Sequence, residues 1–432
     1  MNVAIVGFDR EGRASFEYYS AKGATITVCD QNPEINVPDG TPTQLGVDYL
    51  KDLDRFDVIM RTPGIHPGKI LAENPGVADK ISSGTNEFFK VCPTKNIIGV
   101  TGTKGKGTTS TLITKMLQAA GYTVHLGGNI GRAALNMLPE ISANDWVVLE
   151  LSNFQLIDIK HSPHIALCLL VVPEHLDWHT DEAEYHTAKA RLFKHQTDND
   201  TAIYYANSDE SKHIVQTSAG THIPYFKSPG AEVVDGNIQI DGTVICTTDE
   251  LKLLGEHNWQ NACAATTAVW QVVHNADAIR SVLTTFTGLQ HRIEYVREIG
   301  GIRYYNDSYA TGLHATEAAI KAVPGPAIII LGGYDRMLPL EKFATFATSA
   351  SSVREYLIIG ACGDRLQKAL AEAGATNTTR SSATTMKQVI ADAQALAQPG
   401  DAIVLSPGFA SFDMFNNFEE RGNLFRDIVN TL

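Results

Sequence analysis

The chain has 432 residues, which is long for one hydrophobic core and, at roughly 150 residues per domain, predicts about three domains. Its formal net charge of −13 argues against a general nucleic-acid binder, because such proteins cluster Lys and Arg on one surface. No apolar stretch approaches ~18 residues and the first residues have the wrong charge order for a signal peptide, so we predict no membrane span and a cytoplasmic location.

The first ~90 residues alternate between strand and helix patterns. Apolar runs at residues 3–6 and 25–29 flank a helical stretch, and the second run ends at Asp30. A third strand over residues 57–60 leads into RTPGIHPG, whose prolines and glycines force a loop at the carboxyl end of the strand. Ligands of open α/β sheets bind at such ends. Residues 1–90 are therefore predicted to form a Rossmann-like domain.

A second unit begins with a β-branched strand over residues 96–100, a Gly-rich turn and a helix over residues 106–120. Strand, loop and helix in this order are typical of a P-loop. Later segments predict two strands, a packed helix, and a region of small strands and surface loops: 146–151, 165–172, 258–273 and 202–248. We assign residues 91–288 to this central P-loop domain.

The alternation restarts after Tyr304, with apolar strands at residues 327–331, 356–359 and 402–405. Ala-rich helical segments separate them. This pattern predicts a second Rossmann-like domain over residues 289–432. The expected fold class is therefore α/β with three domains.

The segment GTKGKGTT (residues 102–109) is predicted to bind phosphate. Its glycines allow close backbone approach, and the ammonium of Lys106 would meet the β- and γ-phosphates of a nucleotide. Because Gly107 follows the lysine where a P-loop normally has Ser or Thr, the hydroxyl for magnesium has to come from Thr108 or Thr109. By itself the loop predicts only an NTPase.

Further motifs accompany this loop along the whole chain: TGTKGKGTT, GGNIG, LELSNFQL, PEHLDWH, GEHNWQNACAA, GLQHRIE, NDSYATGLHATEAAI, LGGYDR and LSPGFASFDMFNNFEERG. In order and spacing this series resembles the Mur ligases. The last block is most similar to the branch of that family that adds glutamate. The resemblance implies an N-terminal UDP-binding domain, a central ATPase-like domain and a C-terminal domain that binds the amino acid.

Metal ligands are expected beside the P-loop. Glu150 ends an apolar strand at the ligand-binding edge of its sheet, and carboxylate oxygens suit magnesium. The resemblance implies that Glu150 and His175 bind metal and that Lys189 carries a carbamate that contacts a second magnesium ion. We expect Thr108 to hold the first ion together with Glu150.

The resemblance also implies the nucleotide site. Asn261 would lie near the adenine, Arg292 near the phosphates and Asp307 at the ribose, with ATP between the central and C-terminal domains. The expected ATP-binding residues are Gly102, Thr103, Lys104, Gly105, Lys106, Gly107, Thr108, Asn261, Arg292 and Asp307.

A dicarboxylic amino acid needs cations and directed hydroxyls. The positions that match the family's glutamate site are Thr311, Arg336, Ser411 and Phe418. Arg336 offers a bidentate fork for a carboxylate. However, Tyr309 stands where the family pattern N-D-S-K-A-T has lysine, which removes a positive charge beside the acceptor and leaves the configuration of the glutamate open.

The UDP-sugar end matches the family least. The glycine-rich loop is GFDREG, with Asp9 in place of a glycine, so a diphosphate would meet a bulkier and acidic loop. The expected UDP-binding residues are Asp30, Thr62, Gly64 and Asn129. The alternative is a Rossmann-like scaffold with an altered ligand.

The resemblance implies a reaction that joins glutamate to UDP-N-acetylmuramoyl-L-alanine through an acyl phosphate, with Lys106, His175 and Lys189 as catalytic residues. The predicted cofactors are ATP and two Mg²⁺ ions, and the protein is expected to act as a monomer without nucleic-acid or membrane partners. The alternatives are another Mur or folylpolyglutamate-type ligase, a regulatory P-loop NTPase and a non-catalytic nucleotide-binding homologue. An NAD-linked oxidoreductase is disfavoured, because GFDREG lacks the dinucleotide fingerprint.

Overall fold

The computed structural model describes residues 1–175, 178–253 and 255–432. They divide into a larger unit, Met1–Lys252 with Glu256–Phe286, and a smaller unit that contains Thr287–Leu432. The predicted α/β fold class is confirmed, with parallel sheets in both units. The boundaries at residues 90 and 288 stay predictions. Among the described residues, no helix has the length and apolar character needed to cross a bilayer.

The larger unit begins with a five-stranded parallel sheet in the order β3-β2-β1-β4-β5. The strands are β1 (Asn2–Val6), β2 (Thr25–Asp30), β3 (Thr43–Leu45), β4 (Val58–Arg61) and β5 (Ile81–Ser83), and the helices are α1 (Arg10–Ala21), α2 (Pro67–Glu73) and α3 (Gly84–Val91). The direction of the strand order reverses between β1 and β4. Gly7 and Thr62 follow these two strands and therefore lie where such sheets bind ligands.

The second sheet of this unit has six parallel strands in the order β11-β10-β9-β6-β8-β7. They are β6 (Ile97–Thr101), β7 (Val124–Gly128), β8 (Trp146–Glu150), β9 (Ile165–Cys168), β10 (Thr201–Tyr205) and β11 (Thr221–Tyr225). The helices are α4 (Lys106–Ala119), α5 (Asn153–Leu156), α6 (Glu182–Ala190), α7 (Asp209–Val215), α8 (Glu256–Trp270) and α9 (Ala276–Leu283). A small antiparallel sheet contains β12 (Glu232–Val234), β13 (Asn237–Ile240) and β14 (Thr243–Thr247).

Two predicted elements of this sheet need correction. The strand predicted over residues 165–172 ends at Cys168. The residues that follow form hydrogen bonds with the P-loop instead, since the N–H of Thr103 donates to the carbonyl oxygen of Leu170 (2.8 Å). The region 202–248 contains the helix α7 as well as strands and loops. Ser208 caps that helix by accepting from the N–H of Ser211 (3.1 Å), a signal present in the sequence but not used.

One apolar cluster of the larger unit contains helix residues from the first part of the chain together with residues around the second sheet. Phe88 and Phe89 from α3 belong to the same buried cluster as Leu135, which follows β7, and Leu151, which follows β8. A buried ion pair adds a polar connection: both carboxylate oxygens of Asp158 accept from Arg61, at 2.5 Å each. The Arg61 side chain is fully buried.

The smaller unit has a six-stranded sheet in the order β15-β16-β20-β17-β18-β19, parallel except for the β15–β16 hairpin. The strands are β15 (Glu294–Ile299), β16 (Ile302–Asn306), β17 (Ala327–Gly332), β18 (Val353–Ile359), β19 (Thr378–Arg380) and β20 (Ala402–Leu405). The helices are α10 (Leu313–Ala322), α11 (Glu341–Ser349), α12 (Gly363–Glu372), α13 (Met386–Leu396) and α14 (Phe418–Thr431). Because β16, β20 and β17 are adjacent and parallel, the segments that follow them meet at one edge.

Candidate active site

The P-loop connects β6 to α4 and depends on two glycines in left-handed conformations. Gly102 has φ +143° and Gly105 has φ +85°. A Cβ atom on Gly105 would lie 2.3 Å from Oδ1 of Asn261, so no larger residue fits without displacing that side chain. Helix α4 starts directly after Gly105 and has no side-chain cap. Its first N–H groups are therefore available to an anionic ligand.

The glycine-rich loop after β1 differs from the P-loop because a side chain caps the helix that follows it. Asp9 caps α1 by accepting from the N–H groups of Glu11 (3.1 Å) and Gly12 (3.3 Å). The bulkier, acidic residue noted in the sequence thus occupies the start of the helix itself. Asp30 also contacts this loop, because its carboxylate accepts a hydrogen bond from the N–H of Phe8 (2.7 Å).

Thr62, Gly64 and Asn129 lie around this loop. A Cβ atom on Gly7 would lie 2.2 Å from Oγ1 of Thr62, which explains the close approach of the two loops. The indole Nε1 of Trp178 donates to the carbonyl oxygen of Gly64 (3.2 Å). Arg10, which the sequence analysis did not select, donates to the carbonyl oxygen of Gly128 (2.9 Å), next to Asn129. These contacts bring the predicted UDP-binding residues onto one side of the larger unit.

Two lysines meet behind the P-loop. The ammonium groups of Lys106 and Lys189 both donate to the carbonyl oxygen of Gly102, each at 3.0 Å. Only 1% of Lys189 is exposed. Burial, with a smaller contribution from the charge of Lys106, lowers the pKa of Lys189 to about 7. A buried lysine with such a pKa is largely a neutral amine slightly above pH 7.

Tyr185 supports this lysine pair and was missed by the sequence analysis. Its ring lies 4.5 Å from the Lys189 ammonium, and its hydroxyl hydrogen-bonds the hydroxyl of Thr103 (2.7 Å). Tyr185 precedes Lys189 by four residues on α6, so helical spacing was the signal that placed both on one face.

Glu150 ends β8 with its side chain buried, and 3% of the residue is exposed. One carboxylate oxygen accepts from the amide Nδ2 of Asn129 (2.6 Å). The other oxygen is buried without a hydrogen-bond partner among the described residues. Leaving such an oxygen unsatisfied is costly, and a cation would satisfy it. The residue therefore fits a divalent ion.

The described part of the chain contains no group of three or more His, Cys, Asp and Glu side chains arranged to hold a metal ion. Mg²⁺ usually keeps several waters and takes one or two carboxylates together with substrate phosphates, so Glu150 beside a phosphate loop is a suitable ligand set. Thr108 is half-buried in the first turn of α4. His175 has φ +61°, and its ring centroid lies 4.8 Å from that of Phe154.

Two further predicted residues of the larger unit, Lys104 and Asn261, lie in the loop or contact it. Nζ of Lys104 forms an exposed ion pair with Glu174 (2.6 Å). Asn261 accepts from the hydroxyl of Thr109 (3.3 Å) and donates to Asn258 (2.9 Å), which connects α8 to the first turn of α4.

Asp307 is the buried acid of the smaller unit. Its carboxylate accepts from the hydroxyl of Ser406 (2.7 Å) and from the N–H of Ile293 (3.1 Å). Burial raises the pKa of Asp307 to about 7 in spite of these hydrogen bonds and of the charge of Arg292. Arg292 itself is exposed and lies over the ring of Tyr309, with 3.9 Å between its guanidinium carbon and the ring centroid.

The four predicted glutamate-binding residues follow β16, β17 and β20. Arg336 donates to the carbonyl oxygen of Thr311. Ser411 is buried, and Phe418 is half-buried at the start of α14. Arg421 was not selected from the sequence although it lies in the same block. It is buried and donates to the hydroxyl (2.9 Å) and the carbonyl oxygen (2.8 Å) of Ser308.

Comparison with known proteins identifies relatives along the whole chain. The Mur ligase middle domain matches residues 100–269, and the Mur ligase glutamate ligase domain matches residues 291–409. A UDP-N-acetylmuramoylalanine–D-glutamate ligase of Clostridium tetani is 35% identical over 100% of this chain and 96% of its own. The protein of the same name from Acetivibrio thermocellus is 36% identical with the same coverage.

Solved structures share the fold at much lower identity. A UDP-N-acetylmuramate–alanine ligase from Thermotoga maritima has a TM-score of 0.59 and 14% identity, covering 100% of this chain and 99% of its own. The MurF ligase of the same organism, solved with ADP, has a TM-score of 0.60 and 15% identity, covering 99% and 95%. These structures establish the architecture and carry no conclusion about the ligands of this chain.

Proposed function

Because this chain belongs to the Mur ligase family, we propose that it is an ATP-dependent ligase that joins D-glutamate to UDP-N-acetylmuramoyl-L-alanine during the synthesis of peptidoglycan precursors. The observation that carries the proposal is the identity of 34–36% over the full chain to relatives that all bear this name. The same relatives favour the D configuration, which the sequence analysis had left open.

The P-loop of the larger unit supports the ATP-dependent step. We propose that the uncapped start of α4 and the ammonium of Lys106 bind the phosphates and stabilise the charge on the transferred group. The carboxylate of the UDP-linked substrate attacks the γ-phosphorus, ADP leaves, and an acyl phosphate forms. The amine of D-glutamate then attacks the acyl carbon, phosphate leaves with the broken C–O bond, and the nitrogen loses a proton.

Magnesium would be held by Glu150, Thr108 and His175, and it would neutralise phosphate charge when bound. Within the protein, Asn129 fixes the orientation of Glu150 through its 2.6 Å hydrogen bond. The neutral amine of Lys189 is the form that reacts with carbon dioxide, and burial increases the fraction of this form by lowering the pKa. The carbamate anion would then need a bound cation to offset the cost of its burial. In ¹³C-bicarbonate, the protein should show a carbamate signal that Lys189→Met lacks, and its absence from an active enzyme would remove Lys189 from the metal site.

The other predicted residues complete the proposal. Asp30, Thr62, Gly64 and Asn129 bind the UDP-linked substrate. Asn261 on α8 is proposed to bind ATP, and Arg292 and Asp307 are the ATP-binding residues proposed for the smaller unit. Glutamate contacts Thr311, Arg336, Ser411 and Phe418, in agreement with a cation and hydroxyls at one edge of the sheet.

A coupled ADP-release assay tests the function. With ATP and UDP-N-acetylmuramoyl-L-alanine, D-glutamate should give product and L-glutamate should not. Lys106→Ala should abolish turnover, while Lys115→Ala, an exposed lysine of the same helix, should retain it. Turnover with L-glutamate alone would overturn the stereochemical assignment, and substantial turnover of Lys106→Ala would overturn the role of the P-loop.

A further inference from the structure

Tyr309 lies between two side chains that are assigned to different substrates. The guanidinium carbon of Arg292 is 3.9 Å from the centroid of the Tyr309 ring. On the other side, the ring centroids of Tyr309 and Phe418 are 5.1 Å apart with an angle of 89° between the planes. The Tyr309 ring therefore contacts both Arg292 and Phe418. We call these three side chains the 292–309–418 stack.

The backbone beneath this stack is held independently of the Tyr309 ring. The N–H of Tyr309 donates to the carbonyl oxygen of His291 (2.9 Å), which precedes Arg292. The hydroxyl of Ser308 donates to the carbonyl oxygen of Phe418 (2.8 Å), and the buried guanidinium of Arg421 fixes Ser308. Removing the ring would therefore leave the three chain segments in place, and it would free only the side chains that rest on the ring.

Exposure distinguishes the stack from an ordinary part of the core. Tyr309 is 44% exposed, and Arg292 is exposed as well. An exposed arginine loses much rotamer freedom when it is held in one position, and the attraction between a cation and an aromatic face favours that position. The edge-to-face contact between Tyr309 and Phe418 is likewise a favoured arrangement of two aromatic rings.

We propose that Tyr309 is a positioning residue that aligns the Arg292 guanidinium for the nucleotide and the Phe418 ring for the amino-acid substrate, so that one ring supports both sites. The inference rests on the proposed function and adds a residue that none of the substrate assignments contains. Since the ring face carries the effect, the phenol hydroxyl is dispensable and an aliphatic side chain cannot replace the ring.

Four variants of the full chain test this proposal in the ADP-release assay: Tyr309→Phe, Tyr309→Leu, Arg292→Gln and the double variant with Arg292→Gln and Tyr309→Leu. Tyr309→Phe keeps the ring and should stay within about twofold of the wild type in both KM values. Tyr309→Leu should raise the KM for ATP and the KM for D-glutamate, each about 3- to 30-fold, with a smaller change in kcat. In an Arg292→Gln background, the effect of Tyr309→Leu on the KM for ATP should disappear, because the cation it positions is gone.

Equal KM values for the Leu and Phe variants would overturn the proposal. The proposal would also be wrong if Tyr309→Leu lowered only the thermal stability or only kcat and left both KM values unchanged. It would likewise be wrong if the effect of Tyr309→Leu on the KM for ATP persisted in the Arg292→Gln background. If the wild type shows no turnover with D-glutamate, the proposed function fails, and calorimetric titration with a non-hydrolysable ATP analogue still decides the inference. Tyr309→Leu should then bind the analogue more weakly than Tyr309→Phe, and equal dissociation constants would reject the role of the ring.

Discussion

Replacing Lys189 by methionine should stabilise the protein while abolishing its activity. The amine is buried, and burial lowers its pKa from 10.5 to about 7. The unfolded chain therefore holds more protons than the folded chain between pH 7 and pH 10.5, so the stability of the wild type rises with pH across this window. At pH 7 the buried amine costs about 4 kcal/mol, at 1.36 kcal/mol per pH unit, and at pH 9.5 it costs about 1 kcal/mol.

Methionine removes this cost at both pH values. It also removes one hydrogen bond of about 1 kcal/mol, although the carbonyl oxygen of Gly102 keeps the bond from Lys106. Lys189→Met should therefore be about 3 kcal/mol more stable than the wild type at pH 7, and close to it at pH 9.5. Chemical denaturation in metal-free, bicarbonate-free buffer measures the difference at the two pH values.

The exposed Lys115 provides the matched control, since Lys115→Met should show no pH-dependent difference from the wild type. If Lys189→Met is less stable than the wild type at pH 7, or if the difference is the same at both pH values, the burial argument for Lys189 is wrong. The loss of ligase turnover is expected in either case, because the substitution also removes the amine that we propose to carry the carbamate.

Substitutions at three further places test the P-loop, the Arg61–Asp158 ion pair and the Asp9 helix cap. Gly105→Ala should lower ligase turnover by at least tenfold, because its Cβ would lie 2.3 Å from Asn261 Oδ1 at a φ of +85°; unchanged kinetics would refute the close approach. Arg61→Met should lower the free energy of unfolding by about 3–5 kcal/mol by leaving Asp158 without its partner, and adding Asp158→Leu should recover much of the loss; additive losses in denaturation would contradict this. Asp9→Ala should cost about 1 kcal/mol of stability and Asp9→Asn much less, and equal melting temperatures for the two variants would argue against the helix cap.

Much of the architecture could be predicted because local patterns specify it. Apolar runs with β-branched residues identified β1, β6, β17 and β20, and the P-loop was recognised from its glycines and Lys106. These signals are local, since a strand buried on both faces is apolar throughout and a left-handed turn needs glycine. The fold class followed from the alternation, and the family from motifs spread along the chain.

The interactions between distant segments could not be predicted in this way. No local pattern indicates that Lys189 and Lys106 share the Gly102 carbonyl, or that the Arg292 side chain rests on the ring of Tyr309. The substitution of lysine by Tyr309 indicated only the loss of a charge, whereas the structure places a neighbouring cation over the ring.

The sequence by itself determined the order of the elements and the chemistry available to each loop, because both depend on residue types within a few positions of one another. Only the tertiary structure decided which of those groups are buried, and therefore which change their pKa or lack a hydrogen-bond partner. Burial depends on segments that are far apart in the chain, as with Asp307 and Ser406, which are 99 residues apart. For this reason the sequence could indicate Glu150, Lys189 and Asp307 only as functional residue types. The folded chain then showed that one carboxylate oxygen of Glu150 lacks a hydrogen-bond partner among the described residues, and that burial lowers the pKa of Lys189 and raises that of Asp307.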